Sequence, residues 1–146
     1  MPIIKEVPYG SALYDEVVEL RRELLRRPLG LDFTPEELAQ EKHDTHLAAL
    51  DADRVVGTLL LRKVDERTAR IMRMAVVPEA QGRAIGRALV EWAEGIARER
   101  GFETIMMHAR SSAIGFYEKC GYHTVGGEFL EQGIPHIRME KRLKTE

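Results

Sequence analysis

Gln81-Gly82-Arg83-Ala84-Ile85-Gly86, followed at once by Arg87, has the residue types and spacing to meet an anion. The segment lies between an apolar, strand-like run ending at Val77 and a long helical stretch, so it forms the entry to that helix. Backbone N–H groups in a first helical turn have no intrahelical acceptor and sit at the positive end of the helix dipole, which makes them a seat for phosphate. Small residues admit an anion close to the main chain, and Arg83 and Arg87 add guanidinium groups that pair with phosphate oxygens. From the glycines alone, an ordinary strand-to-helix turn with solvated arginines fits equally well. Two nucleotide folds are set aside, because the chain has no G-K-[ST] sequence and no G-x-G-x-x-G after its first strand.

The elements that must position this turn follow from periodicity and breakers. Ile3 to Val7 reads as a short strand, and Leu13, Val17, Leu20, Leu24 and Leu25 recur at helical spacing to about Arg27, where Pro28 and Gly30 stop the helix. Thr34-Pro35-Glu36-Glu37 opens a second, short helix that ends before Asp44. Thr45 to Leu50 and Arg54 to Lys63 form a hairpin about Asp51-Ala52-Asp53, and Ala69 to Val77 pairs with it. From Ile85, the residues Leu89, Trp92, Ala93, Ile96 and Ala97 give a helix with one apolar face, closed by Gly101. Thr104 to His108 is a short buried strand, Ser112 to Cys120 a helix closed by Gly121, and Tyr122 to Val125 and Ile134 to Glu140 are the last strands.

Bulk properties bound the partners. A chain of 146 residues with 44% hydrophobic content builds one domain, 1–146, with its own core. The formal charge of −2 gives no general drive toward nucleic acid or anionic membrane. One cysteine, Cys120, excludes an internal disulfide, leaves zinc without its usual thiolates and fits a reducing, cytoplasmic setting. No signal peptide or apolar 18-residue span is expected.

With this element order in place, PEAQGRAIGRALVEWA after the fourth strand and SSAIGFYEKCGYHTVG after the fifth resemble the GNAT superfamily of acyl-CoA-dependent N-acetyltransferases. The likeness runs from about Asp44 to Lys141. The ending EFLEQGIPHIRMEK, an Arg-to-Leu-Gly stretch and Asp44-Thr45-His46 resemble its ElaA-like branch. The resemblance implies a mixed α/β fold. Its sheet would be mostly antiparallel, with about six or seven strands flanked by four helices and with the fourth and fifth strands splayed.

The resemblance further implies acetyl-CoA as co-substrate, with Gln81, Gly82, Arg83, Ala84, Ile85, Gly86 and Arg87 holding its diphosphate. Ala84 stands where the family usually has glycine, at a cost of roughly 1 kcal/mol if that position needs a positive φ. Pantetheine would lie in the gap against the main chain of Met74 and Val76. The Met74 amide would then be the oxyanion donor, a role worth about 3 kcal/mol in the transition state. Tyr117 aligns with the tyrosine that protonates the departing thiolate; a phenol of pKa about 10 suits a thiol near 8.5. Arg110 replaces an asparagine that often contacts CoA.

Arg70 occupies the usual position of a basic carboxylate, which points to another proton acceptor. Histidine exchanges a proton near neutral pH, and His108, His136 and His46 fall near the implied cleft, with His108 first by position. Glu128 and Glu131, in the loop before Gly133, are the alternative acids. No H-x-x-x-H spacing supports a metal. Arg21, Arg22, Arg26 and Arg27 make a basic end to the first helix; Arg22 sits where ElaA-like proteins carry arginine, which admits an acidic acceptor. Arg22, His46, Glu128 and His136 are therefore the candidate acceptor contacts.

The function expected is transfer of an acetyl group to a primary amine of a small molecule or peptide by direct attack, since Cys120 gives little support for an acyl-cysteine route. The alternative is a CoA-binding sensor without catalysis. Exposed edges of the C-terminal strand pair admit a homodimer.

Overall fold

Local chemistry sets each element's start. The Ser11 hydroxyl accepts from the Tyr14 N–H at 3.1 Å, opening α1 (Ala12–Arg21). The single helix expected to Arg27 instead widens into a π turn over Arg22–Arg26 and closes in a 3-10 turn over Arg27–Leu29, with Gly30 at φ 72°. Pro28 has no N–H with which to continue the ladder, so the last turns change pitch. Thr34 and Glu37 form the expected capping box of α2 (Pro35–Ala39).

The computed structural model describes residues 2–82 and 84–144. A single sheet holds β1 (Ile3–Val7), β2 (Thr45–Asp51), β3 (Arg54–Lys63), β4 (Thr68–Val76), β5 (Thr104–Arg110), β6 (His123–Glu131) and β7 (Ile134–Arg142) in the order β1-β2-β3-β4-β5-β7-β6. All neighbours are antiparallel except β4 and β5. Between β4 and β5 runs α3 (Ile85–Glu99), and between β5 and β6 runs α4 (Ile114–Lys119). This is the mixed, mostly antiparallel fold that the resemblance implied.

The sequence pattern ended β6 near Val125, but the strand continues to Glu131. Phe129 pairs with His136, and Gln132-Gly133, with φ of 54° and 75°, make a two-residue turn into β7. Glu128 and Glu131 therefore sit on a strand and not in a loop: Glu131 pairs with Ile134, and Glu128 lies in the irregular stretch between the paired residues Val125 and Phe129.

The core lies on both faces of the sheet. Leu89, Val90, Ala93 and Ala97 of α3 pack with Leu47, Leu59, Ile71, Ile105 and Met107, while Trp92, expected on that face, is 50% exposed. Tyr14, Val17 and Val18 of α1 pack with Val7, Ala48 and Val55. Alternation along β2 turns His46 to the Ala48 side and into the interior, where it is 2% exposed. Its Nε2–H donates to the Glu41 carbonyl at 3.0 Å, Nδ1 makes no hydrogen bond and lies 3.9 Å from Glu41 Oε1, and the ring lies edge-on to Tyr14 at 5.1 Å. The expected acceptor role for His46 is thereby corrected, because a ring sealed in the core cannot meet an acceptor.

Burial, reinforced by the Arg21 charge, pushes His46 down to about 4, so the folded ring stays neutral where the unfolded one takes up a proton. Stability from this site is complete above the unfolded value near 6.5 and is lost as pH falls toward 4. Unfolding titrations across that window should show uptake of up to about one proton that His46→Gln removes; an unaltered pH slope in the variant would contradict the assignment.

Candidate active site

β4 and β5 are hydrogen-bonded over a short stretch. Among the described residues their pairing covers Thr68 with Thr104, Ala69 with Ile105 and Arg70 with Met106, and then stops. β5 continues along β7 to the pair Arg110 and His136, while β4 stays with β3. The strands thus part beyond Arg70, and a cavity of about 610 Å³ opens between them. Met72, Met74 and Val76, with Tyr117 against Met74, line one wall, and His108, Arg110, Glu131 and His136 line the other side.

A bulge shapes the β4 wall. Thr58 pairs with Ala75 and Leu60 with Met72, so the single residue Leu59 faces both Arg73 and Met74. Arg73 takes a left-handed conformation, φ 54°, unusual for a residue with a side chain. The sequence carried a trace of it: Arg70 and Arg73, three apart in an apolar strand, cannot share a face of a regular strand.

The turn expected to seat an anion lies at the open end of β4. Among the described residues, none of the amides of Gly82, Ala84, Ile85 and Gly86 donates to a main-chain carbonyl, as a phosphate seat requires. The Gln81 amide departs from expectation, since it donates to the Pro78 carbonyl at 3.2 Å and is consumed by the turn. Gln81 Nε2 donates to the Val76 carbonyl at 3.1 Å, which leaves that oxygen one further lone pair. Ala84 has φ 61°, so the cost of roughly 1 kcal/mol for alanine in a left-handed conformation applies here. Arg83 lies outside the described residues. Arg87 is paired with Glu91 at 3.0 Å, on the exposed side of α3. Gly86 is held by close approach: a Cβ there would meet Met74 Cε at 2.8 Å and Phe116 Cζ at 3.1 Å.

Tyr117 stands beside the same methionine. Its hydroxyl donates to Met74 Sδ at 3.4 Å, a weak bond to a soft acceptor. Burial, then the nearby Cys120, pushes the phenol up to about 12, so it keeps its proton throughout the neutral range.

Across the cleft, His108 Nδ1 has two partners that ask for opposite things. Glu131 Oε1 lies 2.9 Å away and accepts only from Nδ1–H; Arg70 Nη2 lies 3.0 Å away and donates only to a bare Nδ1. With the proton on Nδ1 the ring donates to Glu131 and presents Nε2 as an acceptor. Burial alone would raise Glu131, but the bond from His108 and the charges of His108, His136 and Arg70 outweigh it and hold the carboxyl below its ordinary value. His136 is buried, donates from Nδ1 to the Ile134 carbonyl at 2.7 Å and lies 3.7 Å from Glu131.

Other candidates lie elsewhere. Glu128 accepts from the Ser111 hydroxyl at 2.8 Å and does not line the cavity. Arg22 is turned to Asp32 at 2.7 Å and to Glu19, so its charge is answered outside the cleft. Arg27 pairs with Glu19 and Glu23, and of that basic helix end Arg26 lines the cavity, paired with Glu37 at 3.2 Å. Position along the sequence did not reveal these partners, because each acid comes from another turn or segment.

Comparison with known proteins agrees with the geometry. The family model described as an acetyltransferase (GNAT) domain matches residues 29–143. A Bacillus subtilis strain 168 protein named as an acetyltransferase is 34% identical over 97 residues, 66% of this chain and 65% of its own length. The chain thus spans slightly under two thirds of that relative. Among solved structures, an N-acetyltransferase from Lactobacillus plantarum has a TM-score of 0.84 at 26% identity, covering 97% of this chain and 99% of its own. An aminoglycoside 6'-N-acetyltransferase complexed with coenzyme A has a TM-score of 0.79 at 20% identity over 99% of this chain and 98% of its own, a likeness of fold. A strand pair that opens after three residues, a helix entry where, among the described residues, the amides of Gly82 and 84–86 donate to no main-chain carbonyl, and the family match over most of the chain make this protein a member of the GNAT acetyltransferase family, whose co-substrate is acetyl-CoA.

Proposed function

We propose that the chain transfers the acetyl group of acetyl-CoA to a primary amine of a small-molecule or peptide acceptor by direct attack in a ternary complex. The observation that carries this reading is one cavity that brings Met74 and Tyr117 on one side toward the His108 and Glu131 pair on the other. The amides of Gly82, Ala84, Ile85 and Gly86 would hold the diphosphate, and the main chain of Met74 and Val76 the pantetheine arm. A sensor without catalysis has no use for a paired imidazole and carboxylate in the same cavity. We also place the chain in the ElaA-like branch, on the sequence segments that suggested it.

Each residue then has a distinct task. The Met74 N–H donates to the thioester oxygen as negative charge builds there. His108 Nε2 takes the proton that the attacking amine loses as the new C–N bond forms, and Glu131 fixes the tautomer and offsets the imidazolium charge. Tyr117 turns its hydroxyl from the thioether of Met74 to the sulfur whose C–S bond breaks, a stronger acceptor than any thioether. At about 12 the phenol is a weaker acid than a thiol near 8.5, so its contribution is hydrogen bonding to the forming thiolate. The amine's proton rests on His108 and the sulfur leaves as a thiolate hydrogen-bonded to Tyr117, so the imidazolium and thiolate charges balance until solvent carries the proton from one to the other.

Three outcomes follow. Tyr117→Phe should lower the rate of free-thiol release across an amine panel by about a hundredfold while acetyl-CoA affinity stays within about twofold; undiminished turnover would remove Tyr117 from the mechanism. Glu131→Gln should reduce kcat by about ten- to a hundredfold without raising KM for acetyl-CoA, because the amide no longer selects the Nδ1–H tautomer. A matching rise in KM would instead mark Glu131 as a binding residue. Gly86→Ala should weaken acetyl-CoA binding about tenfold by calorimetry, equivalent to roughly 1.4 kcal/mol, as its methyl displaces Met74 and Phe116. Unchanged affinity would show that the close approach is incidental.

A further inference from the structure

Arg73 combines two features that are each costly alone: a left-handed backbone and a largely buried guanidinium. Three arginines converge on Phe33, with Arg21, Arg26 and Arg73 guanidinium carbons at 5.4, 4.1 and 5.1 Å from the ring centre. Two acids answer them. Glu41, fully buried, receives both terminal nitrogens of Arg21 at 2.8 and 3.1 Å, the Tyr14 hydroxyl at 2.8 Å and an ion pair from Arg73. Glu37, on α2, receives Arg26 and lies 3.6 Å from Arg73. Burial, then the Arg21 charge, pushes Arg73 down to about 10, which reflects how poorly water reaches it.

The backbone at Arg73 does not hold itself in place. A non-glycine residue in the left-handed region relaxes to ordinary strand geometry unless its surroundings fix it, and here relaxation would iron out the bulge. What fixes it is the side chain, drawn to Glu41 and Glu37 on the segment between α1 and β2. The next residue is Met74, the main-chain donor of the proposed reaction. The same cluster contributes Arg26, Glu37 and Arg73 to the cavity lining, so the tether and the cleft wall are continuous.

We propose that Arg73 is a positioning residue whose ion pairs to Glu41 and Glu37 hold the β4 bulge left-handed and thereby aim the Met74 amide at the thioester oxygen. The inference rests on the reading of Met74 as the oxyanion donor. Arg73 acts through the backbone and touches no reacting atom.

The test is the carbonyl stretch of bound [1-13C]acetyl-CoA, measured by isotope-edited infrared difference spectroscopy, with affinity from calorimetry. Wild-type protein should shift the band to lower frequency than in free acetyl-CoA. Arg73→Met leaves Arg21 and Glu41 matched one to one but cuts the tether, and the band should return most of the way to its free position with affinity changed less than about threefold. Arg73→Gly makes none of the side-chain contacts, yet tolerates the positive φ, and should retain most of the wild-type shift. That rescue separates aiming of the backbone from simple support of the fold, which would leave glycine at least as impaired as methionine. A wild-type shift that Arg73→Met preserves, or that Arg73→Gly loses, overturns the inference while leaving the donor role standing. An unshifted wild-type band overturns the donor reading itself and the inference with it. Should the methionine variant not fold, the glycine variant decides alone, by retention or loss of the shift.

Discussion

The parallel pairing of β4 with β5 ends after Arg70 and Met106, and the rest of the site depends on that stop. Had the strands remained zipped, their main-chain groups would satisfy one another and the space between Met74 and His108 would be core. Each strand instead keeps its other neighbour, β3 for β4 and β7 for β5, so the opening leaves the sheet supported on both sides. The bulge at Arg73 and Met74 belongs to the same device, since it bends β4 at the level where the gap opens.

The two sides of the gap have different electrostatic characters. On the β4 side the groups lining the gap are main chain, a thioether and a phenol that keeps its proton, which suits the proposed stabilisation of charge that appears only during reaction. On the β5 and β6 side Glu131, with Arg70 reaching across from β4, competes for one ring nitrogen of His108, which suits the proposed proton transfer. Arg70, on β4, and Glu131, on β6, reach the same His108 ring from opposite sides of the cleft.

Features governed by neighbours along the chain are legible in the residues themselves. The caps at Ser11 and Thr34, the hairpin at Ala52-Asp53, the stops at Gly30 and Gly101 and the helix entry at Gly82 to Gly86 all follow from local chemistry. Features that depend on distant pairing are not. β6 extends past its apolar stretch because β7 holds it, which converts Glu131 from a loop acid into the partner of His108. Arg22 and His46 resemble cleft residues in sequence because their partners, Asp32 and the Glu41 carbonyl, are not apparent from spacing. The cost at Ala84 depends on its φ, and the role of Arg73 on the buried acids around it, neither of which local pattern reveals.

Acetyl-CoA is proposed to lie in the gap between β4 and β5 and along the helix entry. Titration of 15N-labelled protein with coenzyme A, followed by amide chemical shifts, measures this residue by residue. The largest changes should fall at Met74 and Val76 on β4 and at Gly82, Ala84, Ile85 and Gly86 at the start of α3, with β1 and the outer face of α1 undisturbed. Saturable binding whose shifts avoid both the gap and that helix entry would contradict it.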